Sequence, residues 1–182
     1  MTKIYTLTLA PSLDSATLTP QMYPEGKLRC SAPIFEPGGG GINVARAIVY
    51  LGGQATALFP TGGPTGAHLV QLLRDEGITT DTLETQDWTR QNLHVLAEST
   101  GEQYRFVMPG ASLCSEEIHG LRQKVAALPA HSLLVISGSL PPGMDVADLV
   151  DFIVFAKQNH LRCVVDSSGP ALAADRKSTR LN

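Results

Sequence analysis

Short apolar runs alternate along this chain with stretches of helical period, and this alternation limits what the chain can fold into more than any other feature. Residues 133–137 (LLVIS) and 161–166 are nearly continuous apolar runs, with a helical-period stretch at 146–159 between them. A strand that is apolar throughout is buried on both faces, as strands of parallel sheets are. Residues 3–10 and 55–60 read as further strands, and 42–51, 65–76 and 115–128 as helices. Gly52-Gly53 and Gly77 close the first two helices, and Ser115 is the expected N-cap of the third, with Glu116 and Glu117 at its positive end. Connections of a few residues between such elements predict an α/β fold whose largely parallel sheet is covered on both faces.

Two regions depart from that rhythm. Residues 16–23 and 28–35 flank a Pro24-Glu25-Gly26 turn, and 92–99 and 103–108 flank a Ser-Thr-Gly-Glu turn. Both read as hairpin-like pairs, and they are expected to form a separate small sheet from residues around 16–36 and 92–108.

Hydrophobic residues make up 43% and charged residues 17% of the 182, enough for one well-buried core. The net charge of −3 comes without a long run of either sign, which argues against a nucleic-acid footprint. No stretch approaches the ~20 apolar residues of a membrane span. The opening MTKIYTLTLAPS lacks a signal-peptide core, so a cytoplasmic location is expected. Cys30, Cys114 and Cys163 form no CxxC pair and are expected to be buried, reduced thiols. The five histidines are scattered, and no metal ligation by them is expected.

The chemistry-bearing stretch is Pro37-Gly38-Gly39-Gly40-Gly41-Ile42-Asn43. Glycines just before a helix leave a backbone able to take positive φ and to approach a ligand closely, and the helix start offers unpaired N–H groups. A hinge between hairpin and helix would use the same residues. The stretch is neither a GxxxxGK[ST] nor a GxGxxG turn. Asp14, the glycine run, Ser139 in SGSLPPG and Asp166 in DSSG all follow strands or extended stretches. In open α/β sheets, strand carboxyl ends face the ligand crevice. Arg90, in WTRQN, could hold a phosphate through its planar fork of donors, and Lys27 and Arg29 could assist. For each of these cations taken alone, a solvated surface role is the commoner reading.

The run Gly39-Gly40-Gly41-Ile42-Asn43-Val44-Ala45, followed by Gly52 and Gly62, resembles the N-terminal signature of the PfkB, or ribokinase-like, carbohydrate kinases. The segments PEGKLRCSAPIFEPGGGGINVARAI, DWTRQNLHV, GEQYRFVMPGA, VISGSLPPG and DSSG extend the resemblance over residues 3–174. It implies a Rossmann-like α/β/α fold with a small β-sheet lid. It also implies transfer of the ATP γ-phosphoryl group, with Mg²⁺, to the 1-hydroxyl of fructose 6-phosphate. Tagatose 6-phosphate or fructose 1-phosphate is the alternative acceptor. By the same resemblance Asp14, Gly39, Gly40, Asn43 and Ser139 hold the sugar and Arg90 holds its phosphate. Lys27 would reach the site of a second subunit through lids paired in a homodimer, and Asp166 would lie near the phosphates and metal.

The family's second signature, a Gly-Ala-Gly-Asp loop carrying the catalytic base, does not occur in this sequence. The base and the adenine site are therefore expected beyond residue 182, and the chain alone is expected to be inactive. A non-catalytic sugar-phosphate-binding or dimerisation remnant is the reading from another class. Residues 175–182, DRKSTRLN, break the apolar pattern and match a translation of common sequencing-adapter DNA. They are expected to be non-native, with residues 1–174 the kinase part.

Overall fold

In the computed structural model, which describes residues 2–166, the chain order is β1 (Ile4–Leu7), β2 (Ser12–Thr19), β3 (Ile34–Gly38), α1 (Gly40–Tyr50), β4 (Thr56–Thr61), α2 (Gly63–Asp75), β5 (Thr79–Glu84), β6 (Arg90–Ala97), β7 (Glu102–Phe106), α3 (Ser115–Ala126), β8 (Leu133–Ser137), α4 (Val146–Gln158) and β9 (Arg162–Asp166). The DSSG stretch after Asp166, the expected helix start at 170–174 and the tail at 175–182 lie outside the described residues.

The apolar run of β8 lies between β1 and β9, parallel to both. With β4 and β5 these strands make a five-stranded parallel sheet in the order β5-β4-β1-β8-β9. Alternate side chains go to opposite faces. Leu7, Leu58, Leu134 and Ile136 pack with Leu121 and Val125 of α3 and with Leu149, Phe152 and Ile153 of α4. Ala57 and Phe59 pack on the other face with Ile42 and Ala45 of α1 and Leu69 and Leu73 of α2. The expected three-layer α/β/α arrangement follows.

The two irregular regions form one mixed sheet in the order β3-β2-β6-β7. β2 runs antiparallel to β3 but parallel to β6, and β7 returns antiparallel to β6. The register differs from the hairpin read from sequence. β2 begins at Ser12, so Asp14 sits within a strand rather than in a loop after the first one. Its partner is residues 34–38, not 28–35. Residues 20–33 connect the two strands, with prolines at 20, 24 and 33 that cannot donate to a ladder. Ser31 is stitched to β2 through its N–H to the Leu18 carbonyl at 2.9 Å, and the Gln21 carbonyl accepts from the Thr19 hydroxyl at 3.3 Å. Pro37 is tolerated because β3 is an edge strand.

Residues 79–84 (TTDTLE), to which the sequence pattern assigns no element, complete the main sheet as edge strand β5, with Leu83 facing α3. Two further expectations are corrected. The N-cap of α3 is Cys114, not Ser115; Glu117 reaches back to the Cys114 N–H at 2.8 Å and also accepts from the Gln86 N–H at 2.8 Å. Cys30 is exposed rather than buried, because it lies in the 20–33 connection. No helix among the described residues is long and apolar enough to cross a membrane.

Phe152 is fully buried, with the Arg122 guanidinium 5.4 Å from its ring centre. Phe152→Ala is expected to cost about 3–5 kcal/mol, seen as a lower urea midpoint with an unchanged slope.

Candidate functional site

The glycine run brings the start of α1 against the carboxyl ends of the two central strands. Gly39 is the N-cap of α1 with φ +121°, a conformation that L side chains rarely adopt. A Cβ on Gly40 would stand 2.4 Å from Ser137 Oγ and 2.7 Å from the Gly138 nitrogen, at the end of β8. A Cβ on Gly41 would stand 2.7 Å from the Leu7 carbonyl oxygen, at the end of β1. The run is therefore a packing requirement, not a hinge. No side chain caps this helix. The Ile42 N–H donates to Thr8 Oγ1 at 2.8 Å, while the N–H groups of Gly40 and Gly41 have no acceptor within the helix. The positive end of the helix lies against the carboxyl ends of β1 and β8.

The small sheet supplies the other wall. In the β2–β6 register Ser12 lies opposite Arg90, and Asp14 opposite Asn92, so all four share one face. Asp14 Oδ1 accepts from Ser12 Oγ at 2.7 Å and from Asn92 Nδ2 at 2.8 Å. Its Oδ2 lies against Gly38, where a Cβ would come within 2.5 Å. The first glycine of the run thus makes room for the Asp14 carboxylate. The Arg90 guanidinium is pinned by two main-chain carbonyls, Met108 O through Nη1 and Ala10 O through Nη2, each at 3.0 Å. Its Nε is buried without a partner. Burial pushes the Arg90 pKa down from its ordinary value, and the nearby Asp14 carboxylate opposes that shift.

Gly38 thus adjoins Asp14, and Gly40 adjoins Ser137 at the end of β8 and Gly138 of the loop after it, so the glycine run touches both sheets. Gly138, at φ +114°, abuts the Gly40 nitrogen, and Ser139 follows it, exposed. Asn43 is exposed on the first turn of α1. Asp166 ends β9; its Oδ2 accepts from Ser137 Oγ at 2.9 Å and its carbonyl from the Gly138 N–H at 3.1 Å. Lys27 is not brought to the group. It lies in the exposed 20–33 connection, where its carbonyl accepts from the Tyr23 hydroxyl at 3.1 Å. The sequence reading missed Thr8, Ser12, Asn92 and Ser137 as parts of the site. For Asn92 a signal existed: it stands two residues after Arg90 in a strand, and so on the same face.

A carboxylate and a guanidinium fixed on adjacent strands, beside a helix start set at strand carboxyl ends, form the candidate site of this α/β protein. The chain belongs to the pfkB family of carbohydrate kinases, whose family model matches residues 7–181. It is 64% identical over 174 residues to ATP-dependent 6-phosphofructokinase isozyme 2 of Escherichia coli, covering 96% of this chain and 56% of that protein. It is 41% identical over 172 residues to the isozyme 2 of Mycobacterium tuberculosis, covering 93% of this chain and 50% of that one. A crystal structure of the Escherichia coli phosphofructokinase-2 in complex with fructose-6-phosphate superposes with a TM-score of 0.94 at 62% identity, covering 98% of this chain and 59% of that one. The chain spans about half the length of the curated relatives it matches.

Gly40→Ala is expected to destabilise the chain by about 1–3 kcal/mol, because besides the Ser137 hydroxyl it would meet the Gly138 nitrogen and the Ser137 carbonyl carbon, backbone atoms that cannot swing away. Thermal unfolding of the variant beside the parent checks this.

Proposed function

We propose that this chain forms the sugar-phosphate half of an ATP-dependent 6-phosphofructokinase, and that its crevice binds fructose 6-phosphate. The observation that carries the reading is the placement of Asp14 and Arg90 as diagonal neighbours on adjacent strands, with Asp14 against the glycine run that opens α1. Strand rise and spacing put their Cα atoms about 8 Å apart. That separation suits a ligand with a hydroxyl at one end and a phosphate at the other. Asp14 accepts hydrogen bonds from sugar hydroxyls, Arg90 meets the 6-phosphate, and Gly39, Gly40, Asn43 and Ser139 close around the ring. The close similarity to proteins named 6-phosphofructokinase supports this substrate over other ketose phosphates.

In this reading the acceptor is held with its 1-hydroxyl toward ATP, and positioning is the larger part of phosphoryl-transfer catalysis. The nucleotide site and the base that takes the hydroxyl proton belong to the part of the family's length that this chain does not span. Asp166, at the end of β9, is the residue this reading assigns to the phosphate region. Among the described residues no group of three or more His, Cys, Asp or Glu converges on a metal position. Lys27 serves a second subunit, in a homodimer formed through the small sheet. That sheet carries exposed Leu18, Ile34, Leu96 and Phe106.

Trp88 is the single tryptophan and lies two residues before Arg90, so its fluorescence reports on the site. Titration with fructose 6-phosphate is expected to saturate, and Arg90→Ala to weaken binding at least tenfold, on the order of a lost charge-assisted contact. Arg90→Lys is expected to restore little, since a point charge cannot reproduce the pinned fork. Unchanged affinity in Arg90→Ala would refute the assignment of the phosphate end.

A further inference from the structure

We propose that Asn92 is a positioning residue that orients the Asp14 carboxylate so that one of its oxygens is presented to the sugar. The inference rests on the reading of Asp14 as a sugar ligand, and adds a residue that this reading does not use.

Asn92 is buried, 6% exposed, and both ends of its carboxamide are engaged. Nδ2 donates to Asp14 Oδ1 at 2.8 Å, and Oδ1 accepts from the Met108 N–H at 3.0 Å. These partners fix which way the amide points. The opposite orientation would set an NH₂ group against a main-chain N–H and a carbonyl oxygen against a carboxylate. A second donor, Ser12 Oγ, lies on the same Asp14 oxygen at 2.7 Å. Oδ1 is thus held by two donors of the chain itself. Oδ2, lying against Gly38, receives no hydrogen bond from the described residues and is the oxygen left for a ligand hydroxyl. A carboxylate held in this way cannot turn about its Cβ–Cγ bond without breaking two hydrogen bonds.

Asn92 also ties this carboxylate to Arg90. Met108 donates its N–H to Asn92, and its carbonyl accepts from Arg90 Nη1 at 3.0 Å. The two ends of the crevice are therefore referenced to one backbone residue at the end of β7. The hydroxyl end depends on it through Asn92, and the phosphate end depends on it directly.

The test compares fructose 6-phosphate with inorganic phosphate as ligands of the 182-residue chain, by Trp88 fluorescence and ³¹P NMR titration, with thermal unfolding followed beside each variant. Asn92→Asp keeps the acceptor for Met108 but sets a second carboxylate against Asp14 and adds a negative charge near Arg90, so it is expected to weaken fructose 6-phosphate binding at least tenfold and inorganic phosphate binding to a smaller extent. Asn92→Ala, which adds no charge, is expected to weaken fructose 6-phosphate binding at least tenfold while inorganic phosphate binding stays within about twofold, and to add less than about twofold in an Asp14→Ala background, because the two act as one unit. Equal losses for both ligands, or independent losses in the double variant, would overturn the inference, since Asn92 would then act only on the frame around Met108. Fructose 6-phosphate affinity unchanged in Asn92→Asp would overturn it as well. Affinity unchanged in Asp14→Ala has a different meaning: the sugar-site reading itself would fail.

Discussion

The closeness of α1 to the ends of β1 and β8 is the constraint on which the rest of the structure depends. Gly40 and Gly41 bring helix backbone to within side-chain distance of Ser137, Gly138 and Leu7, leaving no volume for a Cβ. That contact sets the direction in which the chain leaves β3, and so where the small sheet stands over the main one. A longer side chain in the run would push the helix away from the sheet and lose the core contacts of Ile42 and Ala45 beneath it.

The small sheet meets that constraint from the other side. Its parallel β2–β6 pairing is what sets Asp14 beside Asn92 and Arg90 beside Ser12. Two hairpins standing apart would not do so, because the polar residues of β2 and β6 would then face different neighbours. Edge strand β3 delivers the chain directly from this sheet into the glycine run, and Gly38 passes beneath the Asp14 carboxylate on the way. One glycine-rich segment thus serves two separate close approaches.

The parts of this architecture legible in the sequence were those whose cause is local. The apolar run of β8 and the helical period of α4 announce a buried parallel strand and its covering helix, because burial on both faces leaves no polar positions. The glycine run announces a close approach, though not to what. The missed parts have non-local causes. β5 is polar because an edge strand under α3 needs only one apolar contact, so its composition resembles a loop. The register of β2 against β3 and β6 depends on strands far along the chain, which turn signals near Pro24 could not reveal. Asp14 was legible as a candidate from its place after an extended stretch. Its pairing with Ser12 and Asn92 was not, because Ser12 carries no signal of its own and Asn92, though legible on the face of Arg90, lies 78 residues from Asp14 and meets it only across the β2–β6 pair.

A site whose polar groups are already paired with one another might look ill suited to binding, yet the pairing here favours it. Arg90 spends one donor on each of two carbonyls and keeps further N–H groups, because a guanidinium carries five. Asp14 spends one oxygen and keeps the other. Each group is held in place by bonds the ligand need not replace, so binding does not have to order long side chains at a cost of about 0.5–1.5 kcal/mol each. The half-buried guanidinium, its pKa lowered by that burial, keeps its charge at neutral pH because even a lowered arginine lies far above it. A charge held in a partly dry crevice attracts a dianionic phosphate more strongly than the same charge on a flexible surface lysine such as Lys27.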